Sequence, residues 1–302
     1  MRVGFVILAG AVLAIGVAAL AVGSGPSKPS SLDDAVAQTR DGQWQQGLAF
    51  AQTCPAAALT TCASQIMEAM AGLPDSKLSE NPRLALDALI GLGAIQVRRQ
   101  HYFDAITTLE RGIALHDRLF ADPLPDIVPA YRLLLMAIAP LGERHDTRGR
   151  TAAARALEIA NAKLPSVNSD RADLLEAIAA LHSLRGRWPE AKTHYFELVA
   201  VERALARGDD SRFATMLMDF GITELFTGNP MGFEAAFDEG LALLKRIDSP
   251  NYRSAVDVRA NFLARAGRCA DAQAAAAAYE QEFREKTGSV EFLADGSCRP
   301  VY

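Results

Sequence analysis

A turn glycine that returns at a nearly constant interval constrains this chain more than any other feature. Gly186 is followed by Gly228 after 42 residues and by Gly267 after a further 39, and Gln100 holds the same slot 86 residues before Gly186. Seven residues ahead of each turn stands a small residue: Gly93, Ala179, Gly221 and Ala260. A small side chain there lets two helices approach closely. After the turns come second stripes: Tyr102 with Ala105, Leu109 and Gly112; Trp188 with Ala191 and Tyr195; Phe237 with Gly240; and Ala272 with Tyr279. The stretch 174–205 carries the design most fully. Leu174, Leu175, Ile178, Leu181 and Leu184 fall at three- and four-residue spacings and so share one helix face. Gly186 accepts the left-handed conformation that ends a helix. Pro189 falls in the first turn of the next helix, where its missing N–H costs little, and Tyr195 and Leu198 continue that helix's stripe.

Half of the 302 residues are hydrophobic, enough for a sizeable core, and only 7% are aromatic, which suits closely packed, alanine-rich helices. Nothing alternates with period two over a useful length except the last dozen residues, so the pattern is all-α. The net charge of −5 comes from 31 basic and 36 acidic residues spread along the chain. Without a basic run there is no electrostatic footprint for nucleic acid.

These units resemble the tetratricopeptide repeat family, in which pairs of antiparallel helices stack into a superhelix. Leu92-Gly93 with Tyr102, Ala105 and Leu109 carries the resemblance best, and Arg187-Trp188-Pro189-Glu190-Ala191 comes next. The family's form of about 34 residues is too short for these spacings. A period near 42 is more similar to the long-helix variant of kinesin light chains and many bacterial proteins. The chain departs from the pattern in lacking a closing proline after Leu115 and after Ala206. Residues 126–164 also fit poorly, because Pro140 and a charged loop at Glu143–Arg150 break the phase. The resemblance covers about residues 31–287. It implies an all-α, right-handed superhelical solenoid of about six antiparallel hairpins.

Residues 1–23 stand apart from that body. Arg2 precedes an uncharged apolar run, Val3–Val22. Two readings stand: a signal peptide cut after Ala21, or an uncleaved membrane anchor, since about 20 apolar residues span a bilayer. Both place the body in the bacterial periplasm, soluble or tethered to the inner membrane through residues 3–22, because the positive end stays inside. Residues 24–30 are a Ser/Gly/Pro linker. Ser31 reads as an N-cap with Asp33 and Asp34 behind it, and Gly42-Gln43-Trp44 repeats the turn grammar of Gly186-Arg187-Trp188, so 31–53 reads as a capping hairpin. Residues 288–302 form a tail too short to be a domain.

The search for chemistry returns little. None of the five histidines, 101, 116, 145, 182 and 194, has a second ligand at the spacing of a helical zinc site. Gly91-Leu92-Gly93 opens like a dinucleotide loop, but Gln96 stands where the third glycine belongs and no strand precedes it. The expectation is therefore a non-enzyme with no cofactor and no metal. Four cysteines in an exported chain point to disulfides. Among three connectivities, the local pairs Cys54–Cys62 and Cys269–Cys298 are the natural choice, the second folding the tail over the open end of the last hairpin.

The resemblance implies an interaction module that holds a peptide or partner protein along the first helix of each pair. Projected onto this sequence, it points to Asp87, Val97, Arg98, Asp173, Glu176, Met218, Leu225, Asp257, Asn261 and Arg265. A structural, self-associating subunit of an envelope assembly is the alternative; a hydrolase would need a clustered acid and base that the sequence does not supply. Partner identity and oligomeric state stay open.

Overall fold

The computed structural model describes residues 29–51, 54, 59–208, 210–293 and 295–301. The apolar run at 1–23 and most of the 24–30 linker lie outside them. Among the described residues no helix is long and apolar enough to cross a membrane.

The fold is all-α, with fourteen α-helices among the described residues. They are α1 (Leu32–Arg40), α2 (Trp44–Ala51), α3 (Leu59–Ala71), α4 (Asp75–Leu78), α5 (Pro82–Arg98), α6 (Tyr102–Leu119), α7 (Val128–Ile138), α8 (Asp146–Lys163), α9 (Ser169–Leu184), α10 (Trp188–Leu205), α11 (Asp210–Phe226), α12 (Pro230–Arg246), α13 (Tyr252–Arg265) and α14 (Cys269–Phe283). A two-stranded hairpin follows, β1 (Val290–Phe292) against β2 (Cys298–Pro300), antiparallel, with Glu291 opposite Arg299. The chain divides into two compact units, one ending at Arg185 and the other running from Gly186 to Tyr302.

Local chemistry sets the helix ends. Ser31 caps α1 by accepting from the Asp34 N–H at 3.1 Å. Asn81, Asn168 and Asn229 cap α5, α9 and α12 through their side chains. The four turn positions of the repeat all have positive φ: Gln100 at 62°, Gly186 at 66°, Gly228 at 85° and Gly267 at 75°. Gln100 therefore does glycine's work without glycine's conformational freedom. The small residues seven places earlier, Gly93, Ala179, Gly221 and Ala260, are all buried.

In the first unit α5 packs on α6, α6 on α7, and α7 on both α8 and α9. In the second, α10 packs on α11, α11 on α12 and α13 on α14. Ion pairs join helices two apart at separations close to one period. In the first unit Arg148 of α8 holds Glu110 of α6, and Arg132 of α7 holds Asp173 of α9 at 3.2 Å. In the second, Arg203 of α10 holds Glu239 of α12 at 2.6 Å, and Lys245 of α12 holds Glu282 of α14 at 2.8 Å.

The stretch that breaks the repeat phase is more helical than its charges suggest. Gly142, at φ 79°, turns the chain, one 3-10 turn follows at Glu143–His145, and α8 already begins at Asp146. Arg185, its side chain 8% exposed, anchors this turn by donating to the Gly142 carbonyl at 2.8 Å and approaching Asp146 at 3.8 Å. Asp146 also pairs with Arg150 one turn on, which supports helix where a loop is expected.

Both local disulfides are present, Cys54–Cys62 and Cys269–Cys298, and no cysteine is free. Such pairing belongs to an oxidising, extracytoplasmic compartment. The tail lies against α13 and α14. Of the apolar tail residues Val290, Phe292 and Leu293, only Val290 covers the last hairpin, at 7% exposure beside Ala260, Leu263, Ala272 and Ala276. Phe292 and Leu293 are exposed, because β1 meets the helices only at its first residue.

Candidate interaction surface

The ten residues projected onto a partner face do not share one fate. Val97 and Leu225 lie in the core, at 5% and 6% exposure. Each stands four residues after the small residue of its helix, Gly93 or Gly221, and so points down the same buried side. That side faces the second helix of the pair: a Cβ on Gly93 would lie 2.5 Å from the Leu109 side chain of α6. No partner reaches these two positions. Met218 is half-buried, its Cγ 2.8 Å from where a Gly240 Cβ would stand, so it serves the α11–α12 contact.

Two more are occupied by the chain itself. Asn261 of α13 is 7% exposed, and its Nδ2 donates to the carbonyls of Ser289 at 2.8 Å and Val301 at 3.2 Å. The Asp257 carboxylate accepts from the Thr287 hydroxyl, and its carbonyl accepts from the Ser289 hydroxyl at 2.8 Å. Arg265 is exposed, its guanidinium 5.9 Å from the Phe262 ring centre.

In the first unit Asp87 and Arg98 of α5 are exposed, and Asp173 and Glu176 of α9 are half-buried. Although Asp87 is exposed, partial desolvation by the surrounding atoms pushes its carboxyl up from the ordinary value and the Asp126 carboxylate adds to the effect, while Arg83 opposes both. Arg132 joins this set through Asp173, and the sequence reading missed it because residues 126–164 fell out of phase. The signal was present: Arg132 stands 41 residues before Asp173, almost one period.

His116, 1% exposed, accepts from the Leu124 N–H at its Nε2 at 3.0 Å, which leaves Nδ1 to donate to Asp117 at 3.1 Å. That tautomer, assigned from the hydrogen bonds, makes it a clasp for the loop after α6. Burial lowers the His194 pKa against the pull of Glu197. Among the described residues no group of three or more His, Cys, Asp or Glu could hold a metal ion. A shallow cleft of about 590 Å³ between α1 and α3 is lined by Asp33, Arg40, Gln65 and Glu68 with Val36 and Leu73.

No family model matches the chain, and no curated protein matches it. Among solved structures it is similar to the crystal structure of BtubC (BKLC) from P. vanneervenii, with a TM-score of 0.55 and 14% sequence identity, over 72% of this chain and 93% of that one. At that identity the likeness is one of fold.

Proposed function

We propose that the chain is a tetratricopeptide-like interaction module of the bacterial periplasm, a right-handed array of helical hairpins whose first helices hold an extended segment of a partner protein. It is not an enzyme and needs no cofactor. Residues 3–22 export it or tether it to the inner membrane. The observation that carries this reading is Asn261: a first helix already grips main-chain carbonyls, those at the two ends of the chain's own tail hairpin. Main-chain recognition of that kind gives affinity with little demand on sequence. Support for the repeat register comes from the positive φ at Gln100, Gly186, Gly228 and Gly267 and from the ion pairs that join helices two apart. In the first unit the corresponding first-helix surface carries Asp87, Arg132, Asp173 and Glu176, mixed charge that suits a polar, extended ligand better than self-association through an apolar strip.

A photo-crosslinking amino acid placed at Glu176 of α9, and separately at Glu158 of α8, tests this in cells that make the full chain. A discrete adduct from position 176 and none from 158 is the expected result. Equal labelling at the two positions, or none at either, would refute first-helix binding.

A further inference from the structure

The tail from Thr287 onward is attached to α13 in an uneven way. Its hydrogen bonds run to the helix through Asn261 and Asp257, and they engage the backbone of Ser289 and Val301 and the hydroxyls of Thr287 and Ser289. One apolar side chain, Val290, is buried, while Phe292, Leu293 and Val301 stay 37%, 40% and 45% exposed. The hairpin is closed within itself: Leu293 donates to Ser297 at 2.9 Å and Val301 to Ser289 at 2.8 Å. Its connection to α14 passes through Glu285, which pairs with Arg253 of α13, through exposed Lys286 and through Gly288, where an added Cβ would meet nothing within 4 Å. The helix before it ends on its own terms, with Arg284 at φ 55° donating its N–H to Glu280 at 2.8 Å. A self-contained hairpin with one buried apolar side chain is therefore held to the helices by a few polar contacts and by the covalent tie Cys269–Cys298, whose two residues are half-buried and within reach of solvent.

We infer that the α13 face is a binding site for an extended segment of a partner protein, and that residues 287–301 are its built-in occupant, released when Cys269–Cys298 is reduced. This rests on reading the first helices as partner surfaces and adds the regulation of one of them. The reductant is a dithiol. One of its thiolates attacks a sulfur of the bond and forms a mixed disulfide, and the other cysteine leaves as a thiolate that takes a proton. The second thiol of the reductant then displaces the first cysteine, which also leaves with a proton, and the reductant departs as a cyclic disulfide. Two electrons pass to the protein. With the covalent hold gone, the Asn261 amide and the Asp257 carboxylate are open to an incoming segment.

The test uses the full chain and a peptide of its own residues 286–302. The chain is reduced with dithiothreitol, opening is verified by thiol counting, and it is reoxidised with excess peptide; adducts on Cys269 are counted by mass. The comparison is a peptide of scrambled sequence with its cysteine at the same position. Capture of the native peptide in roughly tenfold excess over the scrambled one is expected, and Asn261→Ala in the chain should remove most of that preference. Hydrogen exchange on the Cys298→Ser chain, in which Cys54–Cys62 is untouched, should show faster exchange in the tail and unchanged protection in α13 and α14. Equal capture of the two peptides would overturn the inference, as would resistance of the bond to dithiothreitol. Loss of protection along α13 would also overturn it, by making the tail a fixed part of the core. The crosslinking at Glu176 reads a different helix, so failure of the broader reading is seen separately.

Discussion

Replacing Gly221 by leucine tests the register of the helix pairs directly. Gly221 sits in α11 against α12. A Cβ there would lie 3.2 Å from the Phe233 carbonyl oxygen, 3.3 Å from the Phe237 nitrogen and 3.4 Å from the Ala236 Cβ. Two of these are backbone atoms, so room appears only if α12 moves. The tight contact lies within one hairpin, between its own two helices. Alanine at 221 gains about 1 kcal/mol of helix propensity and loses a similar amount to the displaced backbone, so the balance is small. Leucine adds three carbons where even Cβ is crowded, and a cost of about 2–3 kcal/mol is expected. With a urea slope of roughly 2 kcal/mol/M, the midpoint falls by about 1 M. The two tryptophans divide the readout. Trp188, stacked on Phe226 at 4.5 Å, reports the second unit, and Trp44, 1% exposed, reports the first. Urea titration of Gly221→Leu in a Trp44→Phe background follows the affected unit alone. Gly112→Ala, read by Trp44 in a Trp188→Phe background, is the control. Its Cβ meets Leu89 at an ordinary 3.4 Å, so it should stabilise by about 0.5–1 kcal/mol. Equal midpoints for Gly221→Leu and its parent would refute the packing argument.

Glu202, 7% exposed, is held by Arg212 at 3.0 Å and Arg207 at 3.1 Å; Glu202→Ala removes the carboxylate that both arginines share and should cost about 2 kcal/mol, visible as an earlier Trp188 transition. The folded-state pKa of Asp87 is raised above the ordinary value of an aspartate. Its ionisation thus weighs on the folded state above that folded pKa and vanishes below the unfolded one, so Asp87→Asn should raise stability at pH 7 and leave it unchanged near pH 3, as thermal melts at the two pH values would show. A reporter active only after export, fused behind Tyr302, should be active; activity only in a cytoplasm-dependent reporter would contradict the expected export.

The helical frame was legible because its determinants are local. Leu174, Ile178 and Leu181 repeat at helical spacing, and Gly186, Gly228 and Gly267 stop helices wherever they stand. Gln100 was legible only by arithmetic, since a glutamine at φ 62° carries no sign of it in its chemistry. Short α4 was missed: four residues, capped by no side chain, leave no periodic signal. The phase error around residues 126–164 has a tertiary origin. Pro140 and Gly142 announce a break, but Arg185, reaching back 43 residues to the Gly142 carbonyl, holds the turn from which α8 starts at once.

The partner face was less legible, for a physical reason visible in α13. Repeat position shows which side of a helix faces away from its hairpin partner, but not what arrives there from elsewhere in the chain. Asn261 looks alike in sequence whether it waits for a foreign peptide or binds Ser289 and Val301, because an amide donates equally well to any main-chain carbonyl. Val97 and Leu225 show the converse error: one helical turn past a small residue, an apolar side chain faces the close contact that residue permits. The two cases mark opposite fates on first helices. Four residues past Gly93 and Gly221 the side chain belongs to the core, whereas a buried polar side chain can be spent on the chain's own backbone. Asn261 is such a side chain on α13, and what it grips is the chain's own end.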